Sequence, residues 1–97
     1  MKTPATEYTE ALSGGRHAGF LKKLADMGQN QIDRAEKSLE KQITDHAQKV
    51  ASPAAVVQDW AVRSPQYRDG LLAKWRSEID NFSAQVNIIK GFKNAKQ

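Results

Sequence analysis

The chain has 97 residues, a formal net charge of +4 and no cysteine. The lack of cysteine excludes a disulfide framework and a thiolate metal site, and no apolar run approaches the roughly 18–20 residues of a membrane-spanning helix. Hydrophobic residues make up 39% of the chain and charged residues 27%, which is typical of a globular protein. We therefore expect one small domain without a transmembrane segment.

Residues 1–12 show no sustained hydrophobic period, and we predict a flexible leader or linker here, followed by a single helical domain over residues 13–97. The leader also lacks the apolar core of a secretory signal peptide. It ends at the sequence SGGRHAGF, residues 13–20, where three glycines surround Arg16 and His17. No strand precedes these glycines, so we expect a hinge at the entrance of a helix instead of a phosphate-binding loop.

Two helices are predicted in the first half of the domain. The first spans about residues 16–27, ends near Gly28 and has apolar residues at helical spacing: Phe20, Leu21, Leu24 and Met27. The second begins after Asn30, a good N-cap, and reaches Ala51. Its apolar residues are Ile32, Leu39, Ile43 and Val50, and Glu36 and His46 lie on or beside the same seam.

Two Ser-Pro steps, at residues 52–53 and 64–65, predict two further helix starts. The first opens a short helix that presents Val56, Val57 and Trp60. The second opens a long helix over about residues 65–92, with an uninterrupted heptad stripe of Leu72, Trp75, Ile79, Phe82, Val86 and Ile89. We predict an all-α fold, an antiparallel hairpin of two long amphipathic helices covered by one or two shorter ones, and the stripe also allows a homodimer.

The residues that can carry chemistry are few. No nucleotide-binding or metal-binding motif occurs in the sequence, so we expect no metal or other cofactor. Phosphodiester cleavage without a metal needs a base, an acid and a cation. The candidates are His17, His46, Arg16 and Glu40, which make a metal-independent nuclease conceivable. In the alternative interpretation, His46 is a hydrogen-bonded structural residue of the helix seam.

Basic residues are concentrated towards the two ends of the domain. Residues 11–25 and 81–97 contain no carboxylate side chain, whereas the middle of the chain is close to neutral. We predict that nucleic acid or an acidic partner is bound through Arg16, Lys22, Lys23, Trp60, Lys90 and Lys93. In the alternative interpretation, the C-terminal lysines only complement a helix dipole and Trp60 only anchors the short helix.

Three stretches together resemble a known domain type. They are SGGRHAGFLKKL (13–24), SLEKQITDHAQKVASP (38–53) and, after a tryptophan and a Ser-Pro step, LLAKWRSEIDNFSAQVNIIKG (71–91). This order resembles the C-terminal helical domain of the RHS-repeat and filamentous-haemagglutinin polymorphic toxins of bacteria. The matching positions are Gly15, Arg16, His17, Gly19, Phe20, Ser38, Glu40, Lys41, Gln42, Ile43, His46, Lys49, Pro53, Trp60, Leu72, Trp75, Glu78, Ile79, Phe82, Gln85, Ile89 and Gly91.

Two departures from that pattern fall in the connection between the long helices. Ser52-Pro53 stands in place of Asn-Pro, and AAVVQDW (54–60) replaces a more aromatic stretch. Both leave the fold expectation intact.

The resemblance implies a toxin domain for contact-dependent interbacterial competition. Such an effector is delivered into a target cell as part of a larger protein, acts in the target cytoplasm and is neutralised by a cognate immunity protein, which we expect to be acidic. The leader would then be part of a linker from that larger protein. The resemblance implies no particular activity, but the basic charge of the chain suits nucleic acid as the target. Two alternatives remain: a non-catalytic helical protein-interaction module and a membrane-active helical hairpin.

Overall fold

A computed structural model describes residues 3–95, and within this range the chain is helical without strands. The helices are α1 (Pro4–Leu12), α2 (Ala18–Ala25), α3 (Gln29–Ala51) and α4 (Pro65–Ala95), and two short 3-10 turns (Pro53–Ala55 and Trp60–Val62) connect α3 to α4. Two long helices packed together with shorter helices confirm the predicted all-α hairpin. The molecule is elongated, with extents of 51 × 26 × 20 Å.

Helices α3 and α4 run antiparallel. Lys93 near the end of α4 contacts Asp33 near the start of α3, while His46 near the end of α3 contacts Glu78 in the middle of α4. The hydrophobic core lies towards the C-terminal half of α4, where α2 closes it. The most deeply buried side chains there are Leu24, Ile32, Ile88 and Ile89. No helix within residues 3–95 is both long enough and apolar enough to cross a membrane.

The structure differs from the sequence prediction at the N-terminus. Where a linker was predicted, residues 4–12 form α1, whose first turn is capped by the Thr3 hydroxyl accepting from the Thr6 N–H at 3.2 Å. Helix α1 packs along α4, and Glu7 and Ala11 are its buried residues. Met1 and Lys2, which belong to the predicted leader, lie outside the described residues.

The connection between the long helices also differs from its prediction. A single short helix was predicted, but Asp59 takes a left-handed backbone (φ 60°) that separates the two 3-10 turns. Trp60 then stacks on Trp75 of α4, with ring centroids 6.3 Å apart and an interplanar angle of 20°. This stack fixes the connection against the end of the hairpin.

Two helix boundaries shift because of local backbone geometry. Helix α2 begins at Ala18 and not at Arg16, since His17 has a left-handed backbone (φ 62°). Gly28 is the N-cap of α3 instead of the end of α2, and its N–H donates to the Gln31 side chain at 3.1 Å. Asn30, the predicted cap, therefore lies inside the first turn of α3.

Candidate acid–base site on helix α4

The polar side chains of interest meet around residues 78–82 of α4. His46 of α3 is buried, with 8% of its surface exposed, and its Nε2 contacts the Glu78 carboxylate. Its Nδ1 lies 2.9 Å from the Gln42 carbonyl oxygen one helical turn earlier. The Phe82 ring packs edge-on against the imidazole, with ring centroids 5.4 Å apart. The imidazole is therefore held on three sides.

This contact pattern fixes where a proton must be. A carbonyl oxygen only accepts hydrogen bonds, so Nδ1 of His46 donates to Gln42. Nε2 and the Glu78 oxygen would repel each other if both presented lone pairs, so the two groups share a proton. Glu78 keeps 35% of its side chain exposed, against 10% for His46. Glu78 is therefore the member of the pair that a substrate can reach.

A second polar corner lies next to this pair. Arg16 forms an ion pair with Asp80 at 2.9 Å and contacts the Asn81 side-chain oxygen at 3.4 Å. The glycine segment positions it, because Gly14 has a positive φ of 86° and the Gly15 N–H donates to the Glu10 carbonyl at 2.9 Å. The chain thereby turns back after α1 and brings Arg16 and His17 against α4.

His17 is half-buried in this corner. Burial lowers the pKa of His17, the neighbouring Arg16 lowers it further, and Glu7, a hydrogen bond with Asn81 and Asp80 oppose the shift. The imidazole is therefore neutral at pH 7. Its Nε2 and Oε2 of the buried Glu7 are both shielded from solvent and lack hydrogen-bond partners within residues 3–95.

Two grooves border these residues. One, of about 900 Å³, lies between α1 and α4 and is lined among others by Glu7, Arg16, Asp80 and Lys90. The other, of about 600 Å³, lies beside His46 between the end of α3 and the first 3-10 turn. Arg16 thus lines one groove and His46 the other.

The structure places the other predicted catalytic residue elsewhere. Glu40 is exposed on α3, where its carbonyl accepts from the Thr44 hydroxyl at 3.1 Å. The carboxylate that reaches His46 belongs to Glu78 instead. The sequence shows His46 on the seam of one helix and Glu78 beside the heptad stripe of the next. Only the register of α3 against α4 brings the two side chains into contact.

Lys93, a predicted binding residue, has a structural role. Its ammonium group lies 2.6 Å from the Asp33 carboxylate and 2.7 Å from that of Glu36. The hydrogen bond from Lys93 lowers the pKa of Asp33, and both carboxylates raise the pKa of Lys93, Asp33 most strongly. These contacts tie the end of α4 to the start of α3. Lys96, from the same basic tail, lies outside the described residues.

The remaining predicted binding residues do not form one surface. Lys22 and Lys23 are exposed on α2, where Lys22 borders a pocket with Phe92, while Lys90 lies at the edge of the groove between α1 and α4. Trp60 stacks on Trp75, which is about 25 Å along α4 from Phe92. Trp60 is half-buried as well, so its ring serves the fold.

Glu7 has almost no signal in the sequence as a site residue, because it falls in the segment that the sequence predicts as a linker. Its only sequence signal is the spacing to Ala11, one helical turn later, and both residues are buried against the rest of the domain.

Comparison with known protein families, with curated proteins and with solved structures finds no match to the chain. In the part of the chain that the structure describes, no group of three or more histidine, aspartate and glutamate side chains is arranged to hold a metal ion. The functional interpretation therefore depends on the geometry of the residues themselves.

Proposed function

We propose that this chain is the C-terminal effector domain of an interbacterial competition system, and that it cleaves nucleic acid by acid–base catalysis at residues 78–81 of α4. One observation carries the proposal. Polar residues from the three separate stretches that resemble polymorphic toxins lie against one turn of α4: Arg16 and His17 from the first, His46 from the second and Glu78 from the third. A helical bundle does not need these groups for its core.

His17 is a positioning residue of the proposed site, because its Nε2 is shielded from solvent. Its pKa is lowered by burial and by Arg16, so the ring stays neutral at pH 7 and adds no second cation beside Arg16. In an RNA strand the 2′-hydroxyl would lose its proton to solvent water while its oxygen bonds to phosphorus.

The Glu78–His46 pair is the general acid. As the bond from phosphorus to the 5′-oxygen breaks, the shared proton passes through Glu78 to the leaving oxygen, and His46 supplies it. Because His46 is buried and bonded at both ring nitrogens, it acts as a positioning residue and Glu78 is the group that touches the substrate.

Arg16 stabilises the charge that develops on the phosphoryl oxygens. Its guanidinium carries five N–H donors, and the contacts with Asp80 and Asn81 occupy only part of them. A cation of fixed orientation next to the reacting phosphate is the usual device for such stabilisation.

The biological setting follows from the resemblance. The domain would be delivered into a neighbouring bacterium as part of a larger protein, and the producing cell would hold an immunity protein. The +4 net charge supports an acidic immunity protein, since opposite charges accelerate association.

The proposal is tested by expressing the chain in a bacterium that lacks an immunity gene. We expect growth arrest with loss of intact RNA, and we expect Glu78→Gln to relieve the arrest because the amide cannot donate the shared proton. Glu40→Gln is the matched control: the same chemical change at an exposed position on α3 leaves the arrest unchanged.

Two results would contradict the proposal. One is normal growth of cells in which the native chain accumulates in soluble form. The other is full toxicity of a folded Glu78→Gln variant.

One observation favours a non-catalytic interaction module as the second candidate. The His46 ring is bonded at both nitrogens, which is also how a purely structural cross-link between α3 and α4 would look. In that case Glu78→Gln would lower the unfolding temperature, whereas binding of the partner and any growth arrest would persist.

A further inference from the structure

We infer that the first half of α4, with the turn before it, binds single-stranded nucleic acid through a strip formed by Arg63, Tyr67 and Lys74. This inference deepens the proposed function, because it names the surface that guides a strand to Glu78. The predicted binding residues at the two ends of the domain do not include any member of this strip.

Helix geometry places the strip on the same face of α4 as Glu78. Residues 67, 74, 78 and 81 are separated by seven, four and three positions, so they share one face of α4. Tyr67 lies about 16 Å from Glu78 along the helix axis. A strand lying along this face would therefore reach Glu78 and Asn81 directly.

Tyr67 has the surroundings of a stacking platform. The Arg63 guanidinium carbon lies 5.0 Å from the centre of its ring, and 43% of the tyrosine remains exposed. Since Arg63 covers only one face of the ring, the other can receive an unpaired base. A base in a duplex is already stacked and cannot use this site.

The charge of the segment fits a polyanion. Arg63 and Lys74 lie along the strip, whereas Arg68, Asp69 and Arg76 lie on other faces of α4 by helix geometry. Glu78 is the first carboxylate on the face of the strip. Arg63 and Lys74 are exposed on either side of Tyr67 along the chain. Base stacking combined with neighbouring cations is the common pattern of proteins that bind single strands without sequence preference.

Fluorescence anisotropy with a labelled 2′-O-methyl RNA strand tests the inference without cleavage, because this strand lacks the attacking hydroxyl. A DNA strand of the same sequence distinguishes the two kinds of nucleic acid, and either kind of strand binding supports the inference. The corresponding duplex and a polyglutamate chain are the comparison probes. We expect the single strands to bind more tightly than both comparison probes.

The variants give two separate readouts. Tyr67→Ala should weaken strand binding about 5- to 100-fold, and Tyr67→Phe should restore it, because the ring and not the hydroxyl stacks. Lys74→Gln should lower the slope of log affinity against log salt by about 0.7, the share of one phosphate contact on a single strand. Lys37→Gln, at an exposed lysine of α3, should change neither quantity.

The inference is overturned if Tyr67→Ala binds like the native chain, if polyglutamate binds as tightly as the strands, or if Lys37→Gln weakens binding as much as Lys74→Gln. The outcome for the proposed function is separate. Strand binding without growth arrest removes the effector proposal and leaves the strip, whereas growth arrest that Tyr67→Ala does not diminish removes the strip and leaves the effector.

Discussion

His17 joins two unusual properties in one residue. Its backbone is left-handed, which is uncommon outside glycine and asparagine, and its imidazole is half-buried next to Arg16 and Glu7. The left-handed turn ends the glycine segment and directs the chain into α2, so the position of the ring is set by the backbone. The sequence showed the Arg-His pair but not this conformation, since left-handed histidines have no sequence signature.

We predict that NMR titration gives His17 a pKa below the usual value of about 6.5. The folded state binds the proton on His17 less readily than the unfolded chain does. The free energy of unfolding therefore falls as the pH drops below about 6.5. His17→Asn, which also tolerates the left-handed backbone, should lose less stability over the same acidification. A measured pKa at or above 6.5 would contradict the described burial of the ring.

At the scale of the elements, α1 is the main difference between prediction and structure. A nine-residue helix has little stability of its own, so its formation depends on packing against α4. Its sequence holds too few large apolar residues to produce a helical period, and only tertiary contacts give it a buried face. The long stripe of α4, by contrast, predicted its helix from the sequence alone.

The packing of α1 on α4 is tested at Gly91. A Cβ atom added there would overlap the Tyr8 side chain and lie 3.0 Å from the Pro4 carbonyl, so Gly91→Ala should destabilise the fold by about 1–3 kcal/mol. Gly70→Ala is the matched control on the same helix, where nothing lies within 4 Å of the added atom. It should stabilise the fold by up to about 1 kcal/mol through helix propensity.

Urea unfolding measures both variants. If Gly91→Ala raised the free energy of unfolding as Gly70→Ala does, α1 would not pack on α4 as described.

Considered as a whole, the hairpin of α3 and α4 brings residues that are distant in the sequence to the same turn of α4. Hydrophobic periodicity predicted this hairpin, because the apolar face of each long helix is visible in its own sequence. The pairing of His46 with Glu78, and of Arg16 with Asp80, depends on how far one helix is shifted along another. A shift of one helical turn between the packed elements would separate both pairs. No local pattern in the sequence specifies the size of this shift.

Cleavage of a single-stranded RNA by the purified chain, followed over time in the presence of a metal chelator, tests the acid–base site directly. We predict accumulation of shorter products at pH 7, with Glu78→Gln about 100- to 10,000-fold slower and Glu40→Gln at the native rate. Intact RNA after prolonged incubation with the folded native chain, or equal rates for Glu78→Gln and the native chain, would contradict an acid–base site on α4.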